Sequence, residues 1–286
     1  MSLHNVISTK PFIYHSDPLL VALNVLAGKG KHSPYRVIVV DERLRPRGVI
    51  TGRRVLEVIS GYRGTAVRLK KGIKGVMREP VTLFIEEARH IFPDSMPIHA
   101  LLTYMAENAI GLILVVDERG VLRGAIDEES ILHALKGRRY GIKVRDAMTR
   151  NVHTISPTAS LAEAVDKIVK LRVRRLPVID GQGLQGILTV TDILKYLLME
   201  EKQIEILLYD VEIDKVLEKK VSDIMCQDVV TISPSSDIGE AIDVMLKSDV
   251  SGLPVTEGNK LIGILSRLDA VMKVLRAIGP ACPIPA

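Results

Sequence analysis

The sequence predicts an α/β (α+β) protein built from four β-α-β-β-α units, and three observations carry that expectation. The stretch from Met148 to Asp192 recurs without a gap from Met225 to Asp269, every landmark moving by 77 positions, with 20 of the 45 aligned residues identical. Each copy opens its apolar-periodic run with a helix-start signal, Ser160-Leu161-Ala162-Glu163 in one and Asp237-Ile238-Gly239-Glu240 in the other. A weaker form of the same order of elements fills the first half. A repeat this strict means that one supersecondary unit has been used more than once.

In the two clear copies the first helices are expected to end near Leu171 and Lys247. A short strand through Leu176-Pro177-Val178 or Leu253-Pro254-Val255 follows, then a turn containing Gly181 or Gly258, then a second strand entering Gly186-Ile187-Leu188 or Gly263-Ile264-Leu265. Second helices run from Thr189 to about Met199 and from Ser266 to about Ala277. In the first half, helix Leu20 to Leu26, strands Val37 to Val40 and Gly48 to Ile50, and helix Arg54 to Ile59 form one unit. Helix Ile98 to Glu107, strands Leu112 to Val116 and Gly124 to Ile126, and helix Ser130 to Leu135 form the next. Met77 and Pro93 are 16 positions apart where the later copies have 9, so seven residues are inserted around Glu86 to His90. The units are therefore 1–62, 63–140, 141–200 and 201–278, the last preceded by a linker helix, with a loose tail at 279–286. A three-stranded sheet carrying two helices leaves one face bare, so units are expected to pack sheet against sheet, in two pairs.

Two connecting segments differ from the units. Gly61 to Gly75 is basic and Gly-rich and contains no acid, whereas Leu197 to Lys220 reads as an amphipathic helix with mixed charges.

Composition narrows the function classes. Of 286 residues 47% are apolar, enough for real cores, yet no apolar run approaches the roughly 18 residues of a spanning helix. Cys226 and Cys282 are too few for a disulfide framework or a thiolate zinc site, which points to a reducing cytoplasm. No Ser-His-Asp, paired-carboxylate or metal-ligand spacing stands out, so neither an enzyme nor a metal site is expected. Gly28-Lys29-Gly30-Lys31 lacks the first Gly and the final Ser or Thr of a phosphate loop and reads as a helix-ending loop. Residues 1–140 carry 21 Lys+Arg against 14 Asp+Glu and residues 141–286 carry 18 against 20, so the basic charge sits in the first half.

Asp146-Ala147-Met148-Thr149, Thr154-Ile155-Ser156-Pro157, Arg175-Leu176-Pro177-Val178 and Gly186 through Asp192 together resemble a cystathionine-β-synthase (CBS) domain. The copy from Asp223 through Asp269 resembles it equally. Four such units are most similar to stand-alone prokaryotic CBS proteins and to the gamma subunit of the AMP-activated protein kinase. The resemblance implies two CBS pairs that associate as a homodimer and act on a protein partner. It also implies clefts that take AMP, ADP, ATP or S-adenosylmethionine as a regulatory ligand, with no other cofactor.

Thr189-Val190-Thr191-Asp192 and Ser266-Arg267-Leu268-Asp269 each follow a strand and open a helix, so hydroxyls and backbone N–H groups gather at a partially positive helix end. In the family pattern the Asp accepts from both ribose hydroxyls; the same spacing is also that of an ordinary helix cap. Arg174 and Arg175, ahead of Pro177, stand where the family places phosphate-binding cations. The second copy has Ser251 and Gly252 there, ahead of Leu253 and Pro254, so its cleft either favours a less charged ligand or borrows charge from Arg267. Thr154, Pro157, Thr231 and Pro234 are expected against the base, or simply end their strands. In the first half the Asp position is Arg54 after Thr51 and Ser130 after Asp127. The diol acceptor is absent from both, so the competent clefts are expected in residues 141–286, with the first pair a degenerate, mainly structural or partner-binding module. The rival reading is a nucleic-acid or polyanion-binding protein working through its basic first half, although aromatics at 3% leave few stacking platforms.

Overall fold

The computed structural model describes residues 6–28, 34–199 and 213–279. The first repeat runs β1 (Phe12–Tyr14), α1 (Leu19–Ala27), β2 (Arg36–Val40), β3 (Pro46–Thr51) and α2 (Gly52–Ile59), and is followed by α3 (Thr65–Arg78) and β4 (Glu86–Glu87). The second runs β5 (Ile91–Pro93), α4 (Ile98–Asn108), β6 (Leu112–Val116), β7 (Leu122–Asp127) and α5 (Glu128–Leu135). The third has α6 (Leu161–Lys170), β8 (Arg175–Asp180), β9 (Gly183–Thr189) and α7 (Val190–Met199). After α8 (Ile213–Leu217), the fourth has α9 (Ile238–Lys247), β10 (Gly252–Glu257), β11 (Lys260–Ser266) and α10 (Arg267–Ile278).

Each unit is the expected hairpin flanked by two helices. In the first two repeats a short leading strand pairs parallel to the hairpin, β1 on β2 and β5 on β6. In the third and fourth it shrinks to single parallel bridges, Ile155 to Val178 and Ile232 to Val255. All four hairpins shift register at the same place, after Val39, Val115, Val178 and Val255. A shared bulge of this kind increases local twist and shows how closely the weak copies follow the strong ones.

The helix starts match their signals. Ser160 Oγ accepts from Glu163 N at 3.1 Å. Asp237, expected to bond at Glu240, accepts from Gly239 N at 2.8 Å instead, while its carboxylate also takes Tyr140 N at 3.1 Å and Gly141 N at 2.7 Å. The diverted cap holds the segment ahead of Val144 to the head of α9.

The chain folds into two compact units, 11–89 with 153–228 and 1–10 with 90–152 and 229–286. The first joins the first and third repeats, with α2 packed on α6 and α7 and α1 on α7. Its core contains Leu19, Leu23, Leu26, Leu56, Ile59, Phe84, Leu161, Ile168, Ile193 and Leu194. The second joins the second and fourth repeats, with α10 packed on α4 and α5 and α9 on α5, around Leu101, Met105, Ile131, Leu132, Ile242, Met245, Val271 and Leu275. Inside each unit, therefore, helix closes on helix between repeats that are not sequence neighbours.

Sequence neighbours are linked in another way: each leading segment pairs with the sheet of the adjacent repeat. Ser8 bridges Ala125 and Glu86 pairs with Val49, while Thr149 bridges Ile264 and Cys226 bridges Ile187. Within the insertion ahead of the second repeat, Glu86 and Glu87 thus form β4, an extra strand on the first repeat's sheet.

The Gly61 to Gly75 segment corrects the reading of a plain connector, because Thr65–Arg78 is helical with a break at Gly72 (φ 66°, ψ −178°). Its Ala, Leu, Arg and Lys residues favour helix, and buried Ile73, Val76 and Met77, spaced three and four apart, pin its second half in the core against α1. Much of the Leu197 to Lys220 linker and the tail beyond Gly279 lie outside the described residues, as do Lys29, Gly30, Lys31 and Cys282.

Candidate functional site

The strand-to-helix turns at Thr189 and Ser266 have nearly the same geometry. Asp192 Oδ2 accepts from Thr189 N at 2.8 Å and from its hydroxyl at 2.7 Å, and Thr189 Oγ1 accepts from Asp192 N at 3.2 Å. Asp269 Oδ2 accepts from Ser266 N at 2.9 Å and from its hydroxyl at 2.6 Å, with Asp269 N returning a bond to Ser266 Oγ at 3.2 Å. Each pair is a helix cap, as the spacing allows. The cap occupies only one carboxylate oxygen, however. Among the described residues no hydrogen bond reaches Oδ1 of either Asp, and neither Oδ1 is among the side-chain atoms sealed from solvent without a partner. Asp192 is half-buried, and burial pushes its carboxyl above the ordinary range although Thr189 and Lys195 work in the opposite direction.

The hairpins bring the other expected residues to these turns. Arg175 pairs with Thr189 in register, and Val190 N donates to Arg174 O at 3.0 Å. Gly252 likewise pairs with Ser266, and Arg267 N donates to Ser251 O at 3.2 Å. Ahead of both hairpins the chain turns through a left-handed residue, Arg172 (φ 55°) and Asp249 (φ 50°), which ends the preceding helix and aims the strand. Pro177 and Pro254 sit within the strands and use their carbonyls to accept from Ile155 N and Ile232 N, both at 3.1 Å. Thr191 lies in the first turn of α7. Thr154 and Pro157 border the Ile155 bridge, and Pro157 O accepts from Ser222 N at 3.0 Å. Thr231 and Pro234 border the Ile232 bridge, and Pro234 O accepts from Arg145 N at 3.0 Å.

The cations are placed differently in the two units. In the unit of the first and third repeats, Arg174 lies over the ring of Tyr35 at 4.1 Å, a cation–π contact. Arg175 is only 8% exposed, and Arg53 of α2 donates to Arg172 O at 3.0 Å. In the unit of the second and fourth repeats, Arg267 donates to Val250 O at 3.2 Å and has Asp249 at 3.5 Å and Glu129 at 3.7 Å. Its charge faces two carboxylates. Tyr35, Arg53 and Glu129 were not singled out from sequence, because their relevance comes from elements more than a hundred residues away.

The two weaker turns are occupied. Thr51 caps Arg54, whose guanidinium is bound at 2.7 Å by Glu57 and at 2.6 Å by Glu86. Asp127 and Ser130 form a reciprocal cap, and Asp127 holds Lys10 at 2.7 Å. Close approach joins a strong turn to a weak one in the first unit, where a Cβ on Gly52 would stand 2.7 Å from Val190 Cγ1.

Among the described residues no helix is long and apolar enough to cross a membrane. The chain is 27% identical over 261 residues to the 33.4 kDa protein in ribosomal RNA operon of Thermofilum pendens, covering 90% of this chain and 86% of that one. Protein MJ1225 of Methanocaldococcus jannaschii, whose crystal structure is described as that of a proposed archaeal homologue of g-AMPK, is 25% identical over 230 residues, 78% of this chain and 81% of that one. Its structure aligns at a TM-score of 0.84 and 21% identity, over 96% of this chain and 100% of its own, which establishes a common fold. The family model described as CBS domain matches residues 3–61, 73–137, 144–199 and 221–276. With four domain matches that together span most of its length, the chain belongs to the CBS domain family.

Proposed function

We propose that the chain is a non-catalytic regulatory module that binds an adenosyl nucleotide at its third and fourth repeats. The observation that carries this reading is the unengaged Oδ1 of Asp192 and Asp269, beside a cap that holds each carboxylate in one orientation. A vicinal diol supplies two O–H donors, and hydrogen bonds to a charged acceptor contribute about 1.5 to 3 kcal/mol. The turns of the first and second repeats offer no such acceptor, since Arg54 is ion-paired and Asp127 is engaged by Lys10 and Ser130. Arg174 gives the third repeat a cation for a phosphate. The fourth repeat has Ser251 and Gly252 in place of such a cation, and Arg267 beside two carboxylates, so it favours a less charged adenosyl compound such as S-adenosylmethionine. Ligand binding would act on a protein partner or on a second copy of the chain.

The test is thermal shift with AMP, ADP, ATP and S-adenosylmethionine. A ligand at a hundred times its dissociation constant stabilises the folded state by about 2.7 kcal/mol. The shift should vanish in a combined Asp192→Asn, Asp269→Asn protein that still folds. An unchanged shift in that protein, or none in the wild type, ends the proposal.

A further inference from the structure

We infer that the first half of α3 is a docking surface for an acidic protein segment that carries an apolar side chain, independently of the adenosyl reading. Helix α3 is two half-helices joined at Gly72, whose φ of 66° and ψ of −178° leave the helical region. Ala66, Leu69 and Lys70 lie three and four residues apart on one face, and an unbroken helix would put Ile73 on that face as well. The turn at Gly72 sends Ile73 into the core instead, 6% exposed, and leaves Ala66, Leu69 and Lys70 in the open. Leu69 is 84% exposed, more than any other large apolar side chain among the described residues. Hydrophobic stabilisation follows the area removed from water, so a leucine in this position contributes little to the fold.

The open half is nevertheless held at its start. Gly64 begins the helix in left-handed backbone (φ 68°), and a Cβ there would stand 3.0 Å from Phe84 Cε1. Thr65 Oγ1 donates to Gly61 O at 2.9 Å, Arg68 Nη1 donates to Ile59 O at 2.7 Å, and Tyr62 OH donates to Asp166 of α6. Beyond Gly72, Val76 and Met77 are buried. A surface set in advance loses less freedom when it binds. Two further exposed apolar side chains stand near this start, Tyr62 just ahead of Gly64 and Leu83 next to Phe84. Large apolar side chains exposed together mark interaction sites.

Charge sets the kind of partner. Residues 61–78 contain Arg63, Arg68, Lys70, Lys71, Lys74 and Arg78 and no acid. Glu57 meets Arg63 at 3.5 Å but also serves Arg53 and Arg54, and Glu79 meets Lys71. Among the described residues Lys70 and Arg78 have no ion-pair partner. The repeat architecture does not demand this charge, because the connector between the third and fourth repeats, Leu197 to Lys220, has seven acids against four bases. Cations around an exposed leucine match a surface of carboxylates around an apolar side chain. A nucleic acid would use the cations and leave Leu69 in water, and Tyr62, the one aromatic ring of residues 61–78, is tied to Asp166. A membrane-surface helix needs a broad apolar face, whereas residues 65–71 expose one large apolar side chain.

The probe is a fluorescein-labelled helical peptide with leucines along one face and glutamates beside them, titrated into the full chain by fluorescence anisotropy. It should bind, and more weakly as added salt shortens the Debye length from about 10 Å to about 3 Å. Leu69→Gln and Lys70→Glu should each weaken binding roughly tenfold. Both side chains are exposed, so melting should not change. Lys260→Glu makes the same charge change at an exposed position of the fourth repeat and should have no effect. Asp192→Asn with Asp269→Asn should leave peptide binding intact whatever becomes of the adenosyl thermal shift, so the two readings fail separately. Absence of binding, or binding that ignores Leu69→Gln, overturns the inference. Equal binding of a peptide with serine in place of leucine does so too, as does preference for duplex DNA or for vesicles of anionic phospholipid. Dimerisation of the free chain that Leu69→Gln abolishes would assign the surface to a second copy and overturn it as well.

Discussion

Arg54 Nη2 stands 2.6 Å from the Glu86 carboxylate, although Arg54 occupies the position that holds Asp192 in the third repeat and Glu86 belongs to the inserted strand β4. The insertion and the substitution answer one another. An arginine at the head of a helix faces an unfavourable dipole, and this one, 8% exposed, needs carboxylates; Glu57 provides one and β4 the other. Its Nε remains buried without a hydrogen bond.

Glu86→Gln should therefore destabilise the protein by about 1–2 kcal/mol, less than a fully buried pair would lose because Glu86 is half-exposed. Arg54→Met should cost less than the sum of its contacts, since it removes the buried charge together with its partners' role. Urea denaturation of both variants and the double variant gives the coupling. Simple additivity would contradict the pairing.

Asp192 should separate folding from binding. Asp192→Asn keeps an acceptor for the Thr189 bonds and removes a half-buried charge whose pKa is already raised by burial, so stability at neutral pH should change by less than about 0.5 kcal/mol. Asp192→Ala leaves Thr189 N–H without its acceptor and should cost about 1 kcal/mol. Both should abolish the adenosyl thermal shift of the third repeat. Because burial raises the carboxyl, any advantage from a neutral Asp192 is present below the ordinary value of 3.8 and lost as pH rises through the higher folded value.

Asp237 behaves in the opposite sense. Burial raises its pKa, but the N–H groups of Tyr140, Gly239 and Gly141 outweigh burial and hold the carboxyl below the ordinary value of 3.8. Its contribution is present above 3.8 and lost as pH falls through the lower folded value. Asp237→Asn should cost about 1 kcal/mol near neutrality, with the gap closing in acid. Unfolding measured across pH would reject this if the gap stayed constant.

Two glycines should rank by what a methyl group meets. At Gly239 a Cβ would lie 1.8 Å from the Arg138 carbonyl oxygen, which is backbone, whereas at Gly263 it would lie 2.5 Å from Met148 Sδ, the flexible part of a side chain. Gly239→Ala should cost more than about 3 kcal/mol and Gly263→Ala about 1–3 kcal/mol. Met148→Ala should recover part of the second loss and none of the first. Thermal unfolding of the four proteins checks the order.

The order of elements was legible in sequence because its causes are local. Ser160, Thr189 and Ser266 announce helices through capping within three residues, and the 77-residue offset lets each signal be seen twice. Helix α3 was missed because its glycines mask it: Gly72 does break the helix, yet Ile73, Val76 and Met77 are held by a core the local pattern does not show. The candidate turns were legible for the same local reason. The fate of Arg267 was not, since Glu129 comes from another repeat.

What the sequence by itself determined was four copies of one unit and the two turns that carry an aspartate. Only the tertiary structure decided that the first repeat shares a core with the third and the second with the fourth, and which cations meet carboxylates. The physical reason is range. Capping and apolar periodicity act over one or two helical turns, whereas four similar apolar helix faces can be matched only by side-chain shape and charge across a hundred residues or more.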